Sequence, residues 1–92
     1  MAYTYSPFSV FLVGDVMHVS WPHQGARKED LYIELCNTTI HISDSWKRTL
    51  CVFAVSASHD CDTLKVFYLK DHLLFTIEAQ TNPSVRRIFI EN

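Results

Sequence analysis

Apolar and polar residues alternate along most of the chain with a period of two, at which successive side chains of a β-strand point to opposite faces. In the stretch 73–78 one face is mostly apolar, which predicts a strand with one buried side. The preceding run, 64–69, is apolar on both faces apart from Lys65, and this predicts a strand covered on two sides. A polar break at 70–72 lets the chain reverse between them. The β-branched and aromatic content favours a hairpin of two strands over one long helix.

Five further segments have the pattern of short strands. They are 8–13, 16–21, 31–35, 39–43 and 49–55. Gly14 and Asp15, between the first two, are a two-residue hairpin signal, because glycine readily adopts the positive φ that such turns need. Pro22 ends the second segment, since it lacks the N–H that a β-ladder uses. Seven short strands without a convincing helix predict an antiparallel β-sandwich.

The segment 44–57 has two interpretations. Asp44 is a possible helix cap, with Trp46, Leu50 and Phe53 then on one helix face. The alternative is a strand over 49–55, preceded by a loop at 44–48. The strand is favoured, because the segment is rich in residues that prefer β-structure.

The chain is expected to form one domain. Its 92 residues include 48% hydrophobic and only 20% charged residues, which argues against disorder and for a modest core. Residues 8–80 are predicted to form the sandwich, after a lead-in at 1–7. The run 81–84 contains Pro83 and predicts a linker, so 81–92 is interpreted as a linker followed by an extended tail.

Charge and hydrophobic pattern exclude two kinds of partner, and cysteine content indicates the cellular compartment. A net charge of −2 without a basic stripe predicts no nucleic-acid partner. No apolar run approaches the roughly 20 residues of a membrane span, and no signal peptide is evident, so no membrane partner is expected. Three cysteines without secretory context indicate a reducing, cytoplasmic compartment. Cys36 and Cys51 are expected to be small buried hydrophobes.

No catalytic site, metal site, cofactor or small-molecule substrate is predicted. Asp60 and Asp62 alternate in a region between strands, where such residues usually cap turns. The two glycines form no phosphate-binding loop. Among the zinc-capable residues only His59 and Cys61 are close in sequence, and their spacing matches no known zinc motif.

The order of these segments resembles the α-crystallin domain of small heat-shock proteins. In the front half, the run 16–22, the Lys-Glu-Asp loop at 28–30 and the Ile-Ser end at 42–43 resemble the family's strand, loop and strand. In the back half, 60–66 and 70–74 resemble its Val-Asp, Ile, Ala and Gly-Val-Leu signature. The resemblance covers residues 8–92 and implies an immunoglobulin-like antiparallel β-sandwich of the α-crystallin/CS type.

The tail is similar to the Ile-x-Ile motif that follows the α-crystallin domain after a flexible linker. It reads Ile88-Phe89-Ile90, and the resemblance implies that Ile88 and Ile90 dock into an apolar groove. The groove is expected between the strands 31–35 and 64–69. Its candidate residues are Leu31, Ile33, Leu35, Leu64 and Val66. The alternative is that the tail is simply a last strand of a sheet.

A dimer edge is expected at the strand that begins at Leu50. This strand contains no lysine or proline to protect an open edge. Many members of the family exchange a protruding loop between subunits at this position. The connection 43–50 is too short for such an exchange. The strand is therefore expected to pair with its own copy, with Leu50, Val52 and Ala54 as the edge residues.

The resemblance implies an ATP-independent chaperone or protein-binding module rather than an enzyme. It would bind unfolded or specific protein partners and assemble as a homodimer or larger homo-oligomer through edge strands and the tail. A CS-type co-chaperone or adaptor domain uses the same sandwich and is the alternative. A third possibility is an unrelated small β-protein, such as an inhibitor.

Overall fold

The computed structural model describes residues 8–80 and 90–91, and these residues form seven strands. They are β1 (Ser9–Val13), β2 (Val16–Pro22), β3 (Leu31–Cys36), β4 (Thr39–Asp44), β5 (Thr49–Ala54), β6 (Lys65–Tyr68) and β7 (His72–Glu78). Two short 3-10 turns, Lys28–Asp30 and Cys61–Thr63, precede β3 and β6. No α-helix occurs within the described ranges. The all-β prediction is confirmed.

The strands form two antiparallel sheets. One has four strands in the order β1-β2-β7-β6, and the other has three in the order β3-β4-β5. A tight turn at Gly14, with φ of 61°, joins β1 to β2 as predicted. The strand interpretation of 49–55 is confirmed by β5, which pairs with β4, and the helical alternative is wrong.

The core lies between the two sheets and is built by the inward side chains of alternate positions. The buried apolar residues are Met17, Val19, Trp21, Ile40, Ile42, Cys51, Phe53, Val55, Leu73, Phe75 and Ile77. The rings of Phe53 on β5 and Phe75 on β7 meet edge to face at 5.2 Å, so the contact joins the two sheets directly. The buried face of β7 is the apolar face that the period of two predicted.

The prediction that 64–69 is covered on two sides is wrong. Strand β6 is an edge strand of the four-stranded sheet, and all four of its residues are exposed. Leu69, which follows it, is also exposed. A strand that is apolar on both faces suits the centre of a sheet. Here it lies at an edge, because β7 is its only neighbour among the described strands.

The turn between β4 and β5 is held by one carboxylate. Oδ1 of Asp44 accepts hydrogen bonds from the backbone N–H groups of Trp46 and Arg48, each at 2.9 Å. Oδ2 accepts from Nε of Arg48 at 2.7 Å. Burial acts to raise the pKa of Asp44, but these hydrogen bonds and the Arg48 charge outweigh it and hold the pKa below its usual value. Asp44 thus serves as the clamp of a hairpin turn, in which Lys47 takes a positive φ of 63°.

Candidate protein-binding site

The sandwich has two open sides, each formed by one edge strand from each sheet. On one side, β3 and β6 flank a common cleft. On the other side, Phe8, just before β1, packs against Phe53 of β5, with ring centroids 5.3 Å apart. The side of β3 and β6 carries charged residues, among them Glu34 and Lys65, whereas β1 and β5 contain none.

The cleft between β3 and β6 has a volume of about 280 Å³. Four of its lining residues are aliphatic, namely Leu31, Ile33, Val66 and Leu73, and Tyr68 and Lys28 complete the lining. This volume is just below the range of about 300–1,000 Å³ for small-ligand pockets. Such a cleft suits a few aliphatic side chains better than a cofactor.

Strand pairing explains why these side chains point into the cleft. Ile33 lies opposite Ile42, and Val66 lies opposite Phe75, and both of those partners are buried in the core. Side chains of directly opposed residues share a face of the sheet, so Ile33 and Val66 face the space between the sheets. Because β3 and β6 are edge strands, that space remains open toward solvent beside them.

Among the strands that the structure describes, β6 pairs only with β7, so its other edge has no strand partner there. The N–H of Leu69 donates to the carbonyl of His72 at 2.9 Å, so Leu69 directs its backbone groups toward β7. Backbone groups alternate in direction along an antiparallel strand. Those of Val66 and Tyr68 therefore point away from β7, toward the open edge. An extended peptide can pair with such an edge while its side chains enter the cleft.

One end of the cleft is fixed by His23, a residue that sequence reasoning did not place in the site. The imidazole is buried and stacks on the ring of Tyr68, with centroids 4.6 Å apart. Nδ1 accepts from the N–H of Gly25 at 3.1 Å, which leaves Nε2 to donate to the carbonyl of Leu69 at 2.8 Å. The hydroxyl of Tyr68 in turn donates to the carbonyl of Ala26. His23 thus holds Tyr68 in place as a wall of the cleft.

The structure brings together three of the five predicted groove residues. Leu31, Ile33 and Val66 line the cleft. Leu64 packs against the core, and Leu35 is exposed on β3 beyond the lining. Tyr68, Leu73 and Lys28 also line it and were not predicted. Only the apolar pattern of the run 64–69 could have indicated Tyr68.

The structure does not show the predicted tail residues in the cleft. Ile90 is 89% exposed, so it does not occupy the cleft in this arrangement. Ile88 lies outside the described residues.

The predicted dimer edge is an edge of the three-stranded sheet, since within the described chain β5 pairs only with β4. The side chains of Val52 and Ala54 are exposed, whereas Leu50 is half-buried against the core. Val55 donates its N–H to the carbonyl of Thr38 on the β4 side, at 2.7 Å. By the alternation of backbone direction, the N–H groups of Val52 and Ala54 point to the open edge.

Asp60, which was considered for acid–base or metal chemistry, has a structural role. Oδ1 of Asp60 accepts from the N–H of Asp62 at 2.9 Å, which caps the turn before β6. Within residues 8–80 and 90–91, no three His, Cys, Asp or Glu side chains are grouped closely enough to hold a metal ion. The expectation that Cys36 is buried is wrong: it ends the edge strand β3 and is exposed, whereas Cys51 is buried as expected.

Three solved structures share this architecture over nearly the whole chain. A small heat-shock protein from Xylella fastidiosa, described as having a distinct high-order structure, matches with a TM-score of 0.75 at 16% identity, covering 99% of this chain and 100% of that one. Heat shock protein 16.0 from Schizosaccharomyces pombe matches at 0.70 and 14% identity, covering 100% and 86%. HSP18.5 from E. histolytica matches at 0.72 and 14% identity, covering 96% and 100%. The chain has the α-crystallin fold of small heat-shock proteins.

The α-crystallin fold confirms the sandwich that the resemblance implied. The three structures named above are small heat-shock proteins, so they do not favour the CS-type alternative. No family model and no curated protein sequence matches the chain. Among the described residues, no helix is long and apolar enough to cross a membrane.

Proposed function

We propose that this α-crystallin-fold protein is an ATP-independent chaperone that holds exposed apolar segments of unfolded proteins. The observation that carries the proposal is the apolar cleft between two open strand edges, in a fold shared with small heat-shock proteins. An unfolded chain exposes extended apolar segments, and these fit an edge strand beside a cleft of aliphatic and aromatic side chains. No nucleotide is needed for such binding, because burial of apolar surface drives it.

The proposed assembly uses both open sides of the sandwich. Ile88 and Ile90, after the 81–84 linker, would dock into the cleft of the same chain or a neighbour. Nine residues from 80 to 88 can span about 30 Å. Val66, which pairs with Phe75, lies only about 10–15 Å from the end of β7, so the span is sufficient for docking within the same chain. The β5 edge would pair with its own copy across a twofold axis.

Holding activity is tested by the aggregation of a reduced client protein. Lysozyme is reduced with dithiothreitol, and its light scattering is followed with increasing amounts of this protein, with and without ATP. We expect stoichiometric suppression of scattering that ATP does not change. A β-sandwich protein of the same size that is not a chaperone is the control. Undiminished scattering at a tenfold molar excess of this protein would contradict a holding function.

The β5 pairing is tested by Val52→Pro. Proline removes an N–H that points to the open edge, without removing a hydrogen bond to β4. We expect monomers where the unmodified protein forms dimers or larger species, as measured by light scattering coupled to size-exclusion chromatography. Val52→Ala keeps the N–H and is the matched control, which should assemble normally. A folded Val52→Pro variant that still dimerises would place the interface elsewhere.

A cytoplasmic location is part of the proposal. Three cysteines are unpaired, and one of them, Cys36, is exposed. An exposed free thiol is compatible with a reducing compartment, where disulfides are rare.

A further inference from the structure

A second cavity, which we call the end pocket, lies where β2 and β4 finish at one end of the sandwich. Its volume is about 460 Å³, which exceeds that of the cleft and falls within the range of about 300–1,000 Å³ for ligand pockets. Trp21 and the loop 23–26 after β2 line it from the four-stranded sheet. Trp46, on the turn between β4 and β5, and Leu50 line it from the three-stranded sheet.

The two tryptophans of the end pocket differ in exposure and in hydrogen bonding. Trp46 is 76% exposed, although its backbone N–H is held by Asp44. The guanidinium of Arg48 lies over the Trp46 ring, 5.1 Å from its centroid, and favours one position of the ring at the rim. Trp21 is buried, and its indole N–H has no hydrogen-bond partner among the residues that the structure describes. Because buried polar groups nearly always have a partner, we expect an acceptor from outside those residues.

The carboxylates and the guanidinium that line the end pocket are already paired. Oδ2 of Asp44 accepts from Nε of Arg48 at 2.7 Å. Oδ2 of Asp30 accepts from Nε of Arg27 at 3.1 Å. A charged occupant would lose water without gaining an unpaired opposite charge, whereas a neutral aromatic ring would gain contact with an exposed indole. The end pocket therefore suits an uncharged aromatic segment.

The segment 1–7 joins the sandwich beside the end pocket. Strand β1 begins at Ser9, which pairs with Ser20, and Ser20 directly precedes Trp21 on β2. The Cα atoms of Ser9 and Trp21 are therefore about 6 Å apart, given the spacing of paired strands and the rise per residue. The chain before β1 thus starts next to one wall of the pocket.

The segment 1–7 also has the composition that the end pocket suits. It includes Tyr3 and Tyr5, and none of its side chains is charged. Counted from Phe8, an extended chain reaches about 10 Å to Tyr5 and about 17 Å to Tyr3. Packed sheets lie about 10 Å apart, so both rings can reach Trp46 on the opposite wall. Carbonyl and hydroxyl oxygens of the segment can supply the acceptor for the buried indole N–H.

The tail suits the end pocket less well. It follows β7, whose last residue Glu78 pairs with Val16 at the other end of β2, about 17 Å from Trp21. It also contains Arg86 and Arg87, which would enter a pocket whose charges are already paired. Its origin and its charge both favour the segment 1–7 as the occupant.

We propose that the segment 1–7 of the same chain docks in the end pocket, with one of its two tyrosine rings against Trp46. The docked segment covers Trp46 and completes this end of the core. His23 lines the end pocket and stacks on Tyr68, so the segment also supports the end wall of the cleft from behind. The docking is independent of what the cleft binds.

The test follows the fluorescence of Trp46 in the full chain, excited at wavelengths that tyrosine does not absorb. Tyr3→Ala with Tyr5→Ala removes both rings, whereas Thr4→Ala with Ser6→Ala changes the same segment and keeps them. We expect the tyrosine pair to shift the emission to longer wavelength and to increase quenching by acrylamide, because Trp46 becomes more exposed. The control pair should change neither. Trp46→Phe should abolish the response, which assigns it to this residue.

A substitution on the pocket side shows where the rings lie. Ala26→Leu narrows the end pocket, and Ala57→Leu adds the same bulk at an exposed alanine outside it. Ser45→Leu narrows the pocket from the opposite wall, in case Ala26→Leu does not fold by circular dichroism. Substitutions at sites in contact are not additive. The tyrosine pair should therefore shift the emission in the Ala57→Leu background and not in a background with a narrowed pocket.

Several results would overturn the inference. One is an emission that the tyrosine pair leaves unchanged, and another is an equal shift from the control pair. A shift that persists in full when the pocket is narrowed would place the rings elsewhere on the surface. A shift that disappears when the assembly is diluted to monomers would assign the occupant to a second copy, which also overturns docking within the same chain.

Discussion

Docking of the tail is most directly tested by supplying it as a separate peptide. The full chain carrying Ile88→Ala and Ile90→Ala leaves the cleft without its own anchors, and an unlabelled peptide of residues 81–92 is added. Each isoleucine contributes about 1.5–3 kcal/mol when fully buried. Fixing about three backbone residues costs about 3–6 kcal/mol, which largely offsets two anchors.

The backbone supplies the remaining affinity. Hydrogen bonds to the edge groups of Val66 and Tyr68 add about 0.5–1.5 kcal/mol each. A net few kcal/mol predicts a millimolar Kd, since 1 mM corresponds to about −4.1 kcal/mol. This value matches the effective concentration of a tethered tail, which is also millimolar, so tails would exchange readily within an assembly.

The assay is a methyl nuclear magnetic resonance titration. We expect the methyl signals of Leu31, Ile33 and Val66 to shift and to saturate at millimolar peptide. A peptide with alanine at 88 and 90 should leave them unchanged. Shifts at Val10 and Leu12 instead, or equal shifts with the alanine peptide, would refute docking in the cleft. Saturation at micromolar peptide would show that the ordering cost is overestimated.

Three further predictions concern single side chains. Asp44→Asn should lower the urea midpoint of unfolding at neutral pH. The pKa of Asp44 is lowered in the folded state, so its carboxylate stabilises the fold only while it is ionised. The difference in midpoint from the unmodified protein should therefore be lost as the pH falls below about 4. His23→Ala should lower stability by about 1–3 kcal/mol in urea unfolding, since it removes a buried ring and its hydrogen bond to the carbonyl of Leu69. It should also weaken peptide binding, because Tyr68 loses the ring on which it stacks. Exposed Cys36 should react rapidly with a thiol reagent, whereas Cys51, whose pKa is raised by burial, should react only on unfolding; equal rates would contradict its burial.

The sequence predicted the strands well, because their pattern is local. Alternation of apolar residues places Leu73, Phe75 and Ile77 on one face whatever the rest of the chain does, and the structure buries that face. Gly14 likewise indicates its own turn. These signals depend on a few neighbouring residues, and the period of two alone separates the faces of a strand.

The position of a strand within its sheet could not be obtained in the same way. The run 64–69 has the composition of a central strand, yet it lies at an edge, because β7 is its only neighbour among the described strands. His23 reaches Leu69 across 46 positions of sequence, and no local pattern encodes that contact.

The walls of the cleft come from different sheets and from distant parts of the chain. Leu31 and Ile33 precede Val66 by more than thirty positions, and the His23 contact that fixes Tyr68 spans more than forty. A folding intermediate with only one sheet formed would contain half a cleft, either Val66 and Tyr68 from the four-stranded sheet or Leu31 and Ile33 from the three-stranded sheet. Contacts of such long sequence separation form late, because closing the intervening loop is costly until both sides are in place. Assembly through this cleft would therefore admit only subunits that have finished folding, and a newly made chain would remain outside the oligomer until both sheets had met.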